Sequence, residues 1–372
     1  MKEVSNFIDK LRALKLDIHL GGSYAKGTYL ENDFDIDVFV KFPYKDKHKN
    51  ISYELEKKLK KFKCEKLKGS RDYFRIKKGK FIFEIIPVLE IKGKAENITD
   101  YSLQHVDWVN KKVKNKNDVK KLKLFLKANK LYGAESYIGG FSGYVCEILI
   151  GYYDSFNELV KKACNWKKEK IIDVEKFHKG KIRLNQDKKS KLILIDPIDK
   201  HRNAASALSD ESYVKFIELC KKYSKKPSSE FFKLKKFKIK DIKNKNTLVF
   251  TRKIKNKKRD GGKVMKTHNK ILDVLKENDF IVKESNFEVE DKKAYLWFEI
   301  ENNELSEEKL HQGPFVKDKS NFMKFKKKWG NVKVKNKRSY TLVKRRFRDL
   351  KSISKFIKKE FELKNNLFLH FF

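Results

Sequence analysis

This sequence has no stretch approaching about 18 consecutive apolar residues, so no membrane-spanning helix is expected. Its first residues, Met1-Lys2-Glu3-Val4-Ser5, are charged and polar and lack the apolar core of a secretory signal, so none is expected. Cysteine is scarce. The four residues Cys64, Cys146, Cys164 and Cys220 form no C-x-x-C pair and have no clustered histidine beside them, which argues against a zinc site and a disulfide framework. Inert thiols in a reducing cytoplasm are the expectation. Acylation and prenylation motifs are missing, as is any internal repeat of fixed period. Acidic residues are in deficit: 50 Asp and Glu face 91 Lys and Arg, a formal net charge of +41. A field of that sign attracts polyanions. A membrane surface would need a basic amphipathic helix or a lipid anchor, so nucleic acid is the preferred partner and no membrane association is expected.

The 372 residues are too many for one small domain and suit two or three. Hydrophobic residues make up 40%, with 29 Phe and 15 Tyr, enough for several cores. The first hundred residues read as a small α/β head. A helix is expected over Lys2 to Leu16, a short strand over Ile18 to Leu20, and a strand over Phe34 to Phe42. A helix over Ser52 to Phe62 and strands over Tyr73 to Ile76 and Phe81 to Val88 complete it. From about Ser102 the pattern turns helical: Val119, Leu122, Phe125 and Leu126 form a stripe. Tyr144 to Ile150 reads as apolar throughout, as a helix buried in a bundle would. Lys225 to Ser229 reads as a boundary. Beyond it, a strand at Thr247 to Thr251, a loop at Lys258 to Gly262, a helix through Ile271, Val274 and Leu275, two more strands and a final helix around Leu350 to Ile357 suggest a small antiparallel sheet covered by helices.

The chemistry is concentrated in Gly21 to Val40. Gly21-Gly22 follows a strand and precedes a short helix, an arrangement in which backbone N–H groups can approach an anion. Ser23 adds a hydroxyl and Lys26 a cation one turn later, so the segment has the parts of a triphosphate cradle. It is not a Walker A loop, because the G-x-x-x-x-G-K spacing is absent. Asp35-Ile36-Asp37 follows. On a strand the two carboxylates share one face, with Cα atoms about 6–7 Å apart. Left unpaired they would repel; a hard divalent cation such as Mg²⁺ removes that cost. Glu84 is the single acid in the apolar run Phe81 to Val88 and is the expected third carboxylate. The competing expectation is a structural salt bridge from Glu84 to Lys80 or Arg75.

The order GS-x-A-K-G-T then D-I-D-V resembles the DNA polymerase β-like nucleotidyltransferase superfamily. Later segments are similar to the archaeal (class I) CCA-adding enzymes. They are Leu122 to Lys127 with Leu131-Tyr132-Gly133-Ala134-Glu135, Gly140 to Tyr144 with Cys146-Glu147, Tyr153 to Phe156, and Asp196-Pro197-Ile198-Asp199 with Arg202 to Ala205. The resemblance runs from about Ser5 to Phe232 and thins in the last third, where His311-Gln312-Gly313-Pro314 is the main echo. It implies an α+β fold in three parts: a nucleotidyltransferase head (1–100), a helical nucleotide-selecting neck (101–230) and a basic RRM/ferredoxin-like body and tail that binds tRNA (231–372). It implies template-independent addition of CCA to the 3′ end of tRNA from CTP and ATP by two-metal chemistry, and a possible homodimer. By position, it assigns Mg²⁺ to Asp35, Asp37 and Glu84. It assigns the nucleotide to Gly22, Ser23, Lys26, His105, Lys123, Tyr132 and Arg202, with Arg202 at the base edge.

The chain departs from the family pattern in three ways. Glu84 stands where Asp is usual, Tyr101-Ser102 where Arg-Thr is common, and the C-terminal part is short. Without the resemblance, His105 reads as a capping histidine at a helix start, Lys123 as a solvated lysine, Tyr132 as core and Arg202 as paired with Asp199. The rival functions are an oligoadenylate or poly(A) synthase and a non-catalytic basic RNA binder. The run Lys233 to Lys258 is the expected RNA grip.

Overall fold

The computed structural model describes residues 2–368 except 32, 94, 181, 183, 185–189, 236, 240–245 and 291. The chain divides into two compact units, residues 1–235 and 236–372. No helix among the described residues is long and apolar enough to cross a membrane.

The first unit begins with α1 (Lys2–Arg12), whose Val4, Phe7, Ile8 and Leu11 recur at helical spacing and are buried. Lys15 takes a left-handed backbone and turns the chain into β1 (Ile18–Leu20). The helix α2 (Gly22–Ala25) is a single turn, followed by β2 (Ile36–Phe42) and α3 (Ile51–Lys58), which Asn50 caps by accepting from the Tyr53 N–H. Strands β3 (Glu65–Leu67), β4 (Tyr73–Lys78) and β5 (Phe81–Leu89) complete a sheet of order β1-β2-β5-β4-β3. β2 and β5 run parallel and the other pairs antiparallel. Ile36, Val38 and Val40 point to one face and pack with α1, Leu55 and Phe83. The alternate residues, Asp37 and Phe39, face the other way.

Helices α4 (Ser102–Lys112), α5 (Lys116–Ala128), α6 (Gly143–Tyr153) and α7 (Phe156–Ala163) follow. Then come a two-stranded parallel ribbon of β6 (Lys170–Ile172) and β7 (Leu192–Leu194), and α8 (Asp210–Lys225). Asn115, Ser142, Ser155 and Ser209 each cap a helix with a side-chain oxygen. The apolar faces of these helices form a second core that includes Leu122, Phe125, Phe141, Leu149, Phe156 and Phe216. The run Tyr144 to Ile150 is helical and buried from Val145 on, but it is not apolar throughout: Glu147 lies inside it.

In the second unit, β8 (Thr247–Lys253) leads to α9 (Lys257–Glu277), β9 (Val282–Val289) and β10 (Lys293–Ile300). β11 (Glu308–Phe315), α10 (Lys319–Trp329), β12 (Lys333–Lys335), β13 (Arg338–Lys344), α11 (Leu350–Glu360) and β14 (Lys364–Phe368) close it. The strands form an antiparallel sheet of order β14-β8-β10-β9 and a smaller one of order β11-β13-β12. α9 packs on β9 and β10, and α11 on β8 and β14. The segment Lys258 to Gly262, expected as a loop, forms the first turns of α9. Asn256 caps that helix by accepting from the Arg259 N–H, and the Asp260 carboxylate accepts from the N–H groups of Lys255 and Asn256. These caps offset the cost of about 1 kcal/mol that each of Gly261 and Gly262 carries in a helix. Part of the basic run from Lys233 to Lys258 lies outside the described residues.

Candidate active site

The glycine turn is built around Asp37. Its Gly21 N–H donates to the Asp37 carbonyl over 2.8 Å, which ties the turn to β2. Gly22 has a left-handed φ of +56°, and a Cβ there would lie 1.6 Å from Asp37 Oδ2. A Cβ on Gly21 would lie 1.9 Å from the Phe39 ring. Neither position has room for a side chain, so the sequence Gly-Gly follows from the two residues that β2 presents to the turn.

Across the parallel pair, Asp37 stands beside Glu84, and across the antiparallel pair Glu84 stands beside Arg75. The three side chains therefore share one face of the sheet. Glu84 is buried and accepts from Arg75 Nη2 over 2.7 Å. Asp35 lies one residue before β2, half-buried, and acts on Arg75 through space. Among the described residues, no three acidic, histidine or cysteine side chains converge tightly enough to hold a metal ion. The expected trio is thus neighbouring but not assembled, and the salt bridge from Glu84 goes to Arg75. Asp35 and Asp37 still offer the hard oxygen donors that Mg²⁺ takes, and that ion is commonly held by one or two carboxylates with substrate phosphates supplying the rest.

A cleft of about 350 Å³ opens from Gly22 and Asp37. Phe39 and Ile86 line it from the sheet, Lys26 from the turn, and His105, Tyr144 and Arg202 from the helical part. The last three are organised by Asp196, whose side chain is fully buried. It accepts from Tyr144 Oη over 3.0 Å, from the Ile198 N–H over 2.9 Å and from Arg202 Nη1. His105 Nε2 lies 3.2 Å from Asp196 Oδ2, without the alignment of a hydrogen bond, and its ring meets Tyr144 at 4.2 Å. Burial pulls the His105 pKa below its ordinary value despite Asp196, which favours the neutral ring. Burial also works against ionisation of Asp196, but His105, Arg202 and the Ile198 N–H outweigh it and hold its pKa at about 2. The Arg202 guanidinium is the permanent charge beside that carboxylate.

Behind Lys26 lies a second buried network. Glu147 accepts from Lys26 Nζ at 2.9 Å and from Thr28 Oγ1 at 2.5 Å, and lies 3.5 Å from Lys123 Nζ. Lys123 also donates to the Thr28 carbonyl over 2.9 Å. Two cations share one carboxylate, so the network keeps one excess positive charge next to the cleft. Tyr132 stands by: its hydroxyl and Lys123 Nζ both lie close to Gly143 at the start of α6.

The structure thus places Gly22, Lys26, Asp37, His105 and Arg202 around one cleft, with Ser23 in the turn between Gly22 and Lys26. Lys123 and Tyr132 sit behind it, and Glu84 beside it in its pair with Arg75. Arg202 pairs with Asp196, while Asp199 instead accepts from the His201 N–H to shape the loop. Sequence reasoning assigned no role to Thr28, Tyr144, Glu147 or Asp196. A cue for Glu147 was present: it is a lone acid in an apolar run, as Glu84 is.

Residues 1–101 match a family described as a nucleotidyltransferase domain, 117–233 the second domain of tRNA nucleotidyltransferase, and 262–367 the C-terminal domain of the CCA-adding enzyme. A CCA-adding enzyme from Nanoarchaeum equitans (strain Kin4-M) is 36% identical over 344 residues, which cover 89% of this chain and 84% of that one. The chain belongs to the CCA-adding enzyme family. Another member, from Archaeoglobus fulgidus, is 31% identical over 342 residues, covering 85% of this chain and 74% of its own. A solved structure of the RNA terminal uridylyl transferase Cid1 superposes with a TM-score of 0.50 at 14% identity, over 64% of this chain and 93% of that chain. That likeness is one of fold. The α+β nucleotidyltransferase architecture expected from the sequence is the one found.

Proposed function

We propose that this protein completes the 3′ end of tRNA, adding C, C and A from CTP and ATP without a template and releasing pyrophosphate. The observation that carries this reading is one cleft with Asp37 packed against a side-chain-free glycine turn on one wall and the Arg202–Asp196 pair on the other. Residues 1–100 act as the catalytic head, 101–230 as the nucleotide-selecting neck and 231–372 as the tRNA-binding body and tail.

In this reading Asp35 and Asp37, with Glu84 beside them, would hold Mg²⁺, which would offset the charge of the carboxylates and supply Lewis-acid stabilisation for the transfer. The bare turn at Gly22 lets the phosphate tail come close to the backbone, and Ser23 and Lys26 bind it. The excess charge of the Lys26–Glu147–Lys123 network attracts that tail, with Tyr132 supporting Lys123. Arg202 presents its guanidinium to the base edge, held in orientation by Asp196, and neutral His105 flanks it beside Tyr144. Positioning and charge stabilisation supply most of the rate enhancement. The enzyme works in the cytoplasm, and the family resemblance points to a second copy of the chain as partner.

The decisive experiment is incorporation of labelled CTP and ATP into tRNA lacking CCA, with Mg²⁺. Addition should stop after three nucleotides and exclude UTP and GTP. Asp37→Ala should abolish incorporation and leave tRNA binding intact. An uncontrolled run of A would mark a poly(A)-type synthase, and undiminished turnover in Asp37→Ala would remove the assignment.

A further inference from the structure

The first unit carries a second cleft at the other end of α6. Tyr144, at the start of that helix, walls the first cleft; Tyr152 and Tyr153, at its end, line the second. The eight positions from 144 to 152 span about 12 Å along the axis. The second cleft has a volume of about 620 Å³ and is bounded by Tyr152, Tyr153, Trp166, Lys162, Lys167 and Lys170.

Its aromatic floor is fixed from below. Trp166 Nε1 donates to Tyr153 Oη over 3.3 Å, and the indole stacks on Tyr213 at 5.8 Å with planes 16° apart. The Tyr213 hydroxyl in turn donates to the Lys167 carbonyl over 2.8 Å. Tyr152 meets Tyr153 edge-on at 4.8 Å and remains 42% exposed. Among the described residues, none forms an ion pair with Lys162, Lys167 or Lys170. The lining contains one acid, Glu169. An exposed aromatic ring beside three uncommitted cations and a single carboxylate suits a ligand that is planar at one end and anionic at the other.

We propose that this cleft binds an unpaired nucleotide, its base stacked on Tyr152 and its phosphate held among Lys162, Lys167 and Lys170. Stacking on an aromatic ring tolerates any base, and lysines recognise phosphate as point charges. An acidic peptide would leave the ring unused. The site lies apart from the cleft of nucleotidyl transfer and does not depend on that activity. The nucleotide comes either from single-stranded RNA or from the free pool.

The test uses the full chain with a short single-stranded RNA carrying 4-thiouridine, photo-crosslinked and mapped by mass spectrometry. Crosslinks should appear within residues 152–171. Tyr152→Ala should weaken binding there by about 5- to 140-fold, the loss of one base stack, and Tyr152→Phe, which keeps the ring, should restore it. Lys167→Glu should lower the salt slope by about 0.7. Competition by AMP would mark the free nucleotide as occupant; crosslinking that AMP leaves unchanged would mark RNA. Absence of crosslinks in 152–171, or crosslinks there that survive Tyr152→Ala undiminished, would overturn the proposal. CTP incorporation by the wild-type chain is measured alongside, so failure of the CCA-adding reading is seen separately.

Discussion

Replacing Glu147 by leucine tests the buried network that joins the sheet to the helices. Glu147 and Lys123 are each 2% exposed and Lys26 is 9% exposed. Removing the carboxylate leaves both ammonium groups buried without the anion they share, a change that costs about 3–5 kcal/mol. For a unit of this size each kcal/mol lowers Tm by about 2–4 °C, so Glu147→Leu should melt about 6–20 °C below wild type. The double variant Glu147→Leu, Lys123→Met replaces the pair with apolar groups of similar size, and such replacements are often neutral. It should regain the share of the loss that Lys123 carries, as measured by calorimetry or circular dichroism, while Lys26 remains without its carboxylate. The pH dependence has a definite sign. Burial opposes ionisation of Glu147, but the charges of Lys26 and Lys123 and the hydrogen bonds from Lys26 and Thr28 outweigh it, so its pKa is lowered from 4.5. The stabilisation is therefore complete above pH 4.5 and drains away as pH falls through the folded-state value. The gap in Tm between wild type and Glu147→Leu should be flat from neutral pH to 4.5 and narrow below it. A single variant within about 2 °C of wild type, or a double variant no better than the single, would refute the reasoning.

Gly22→Ala should be doubly costly. The left-handed backbone adds about 1–2 kcal/mol for a residue with a Cβ, and the new methyl must push the Asp37 carboxylate aside. A displaced catalytic group can cost about 100-fold in rate, so kcat should fall by that order in a protein that still folds; a wild-type kcat would show that Asp37 need not sit where it does. Glu84→Gln separates metal binding from structure. If Glu84 shares the divalent cation, the Mg²⁺ concentration for half-maximal activity should rise at least about tenfold. If its only partner is Arg75, Arg75→Gln will match it in lost stability, and neither variant will move the Mg²⁺ requirement.

Much of the first unit was legible because its signals are local. The Gly21-Gly22 turn, the alternation at Ile36, Val38 and Val40 and the stripe through Val119, Leu122 and Phe125 each follow from neighbours a few residues apart. Glu84 stood out as a lone acid on a strand expected to lie beside that of Asp37, while the register that sets the two residues side by side is fixed by strand pairing that the sequence does not display. Its choice of Arg75 was not decided, because the sequence presented two cation sources for one carboxylate and could not rank them. Asp196 gave no signal as an organising residue, and Glu147, though a lone acid in an apolar run, did not reveal its partners: these come from helices and loops far along the chain, and no periodicity encodes a buried charge pair. In the second unit, Lys258 to Gly262 looked like a loop on glycine content alone. The Asn256 cap and the Asp260 carboxylate, which decide the matter, act through hydrogen bonds that composition does not display. The edge strand β14 was missed because pairing with β8, not propensity, makes it a strand.

The bond from Lys26 to Glu147 bridges 121 residues. During synthesis at about 5–20 residues per second, the lysine waits between about 6 and 24 s for its counterion to be made. Until then the glycine turn lacks the anchor that Glu147 gives Lys26 and Thr28. A product truncated before Glu147 would therefore carry the Gly21-Gly22 motif without the carboxylate that anchors Lys26.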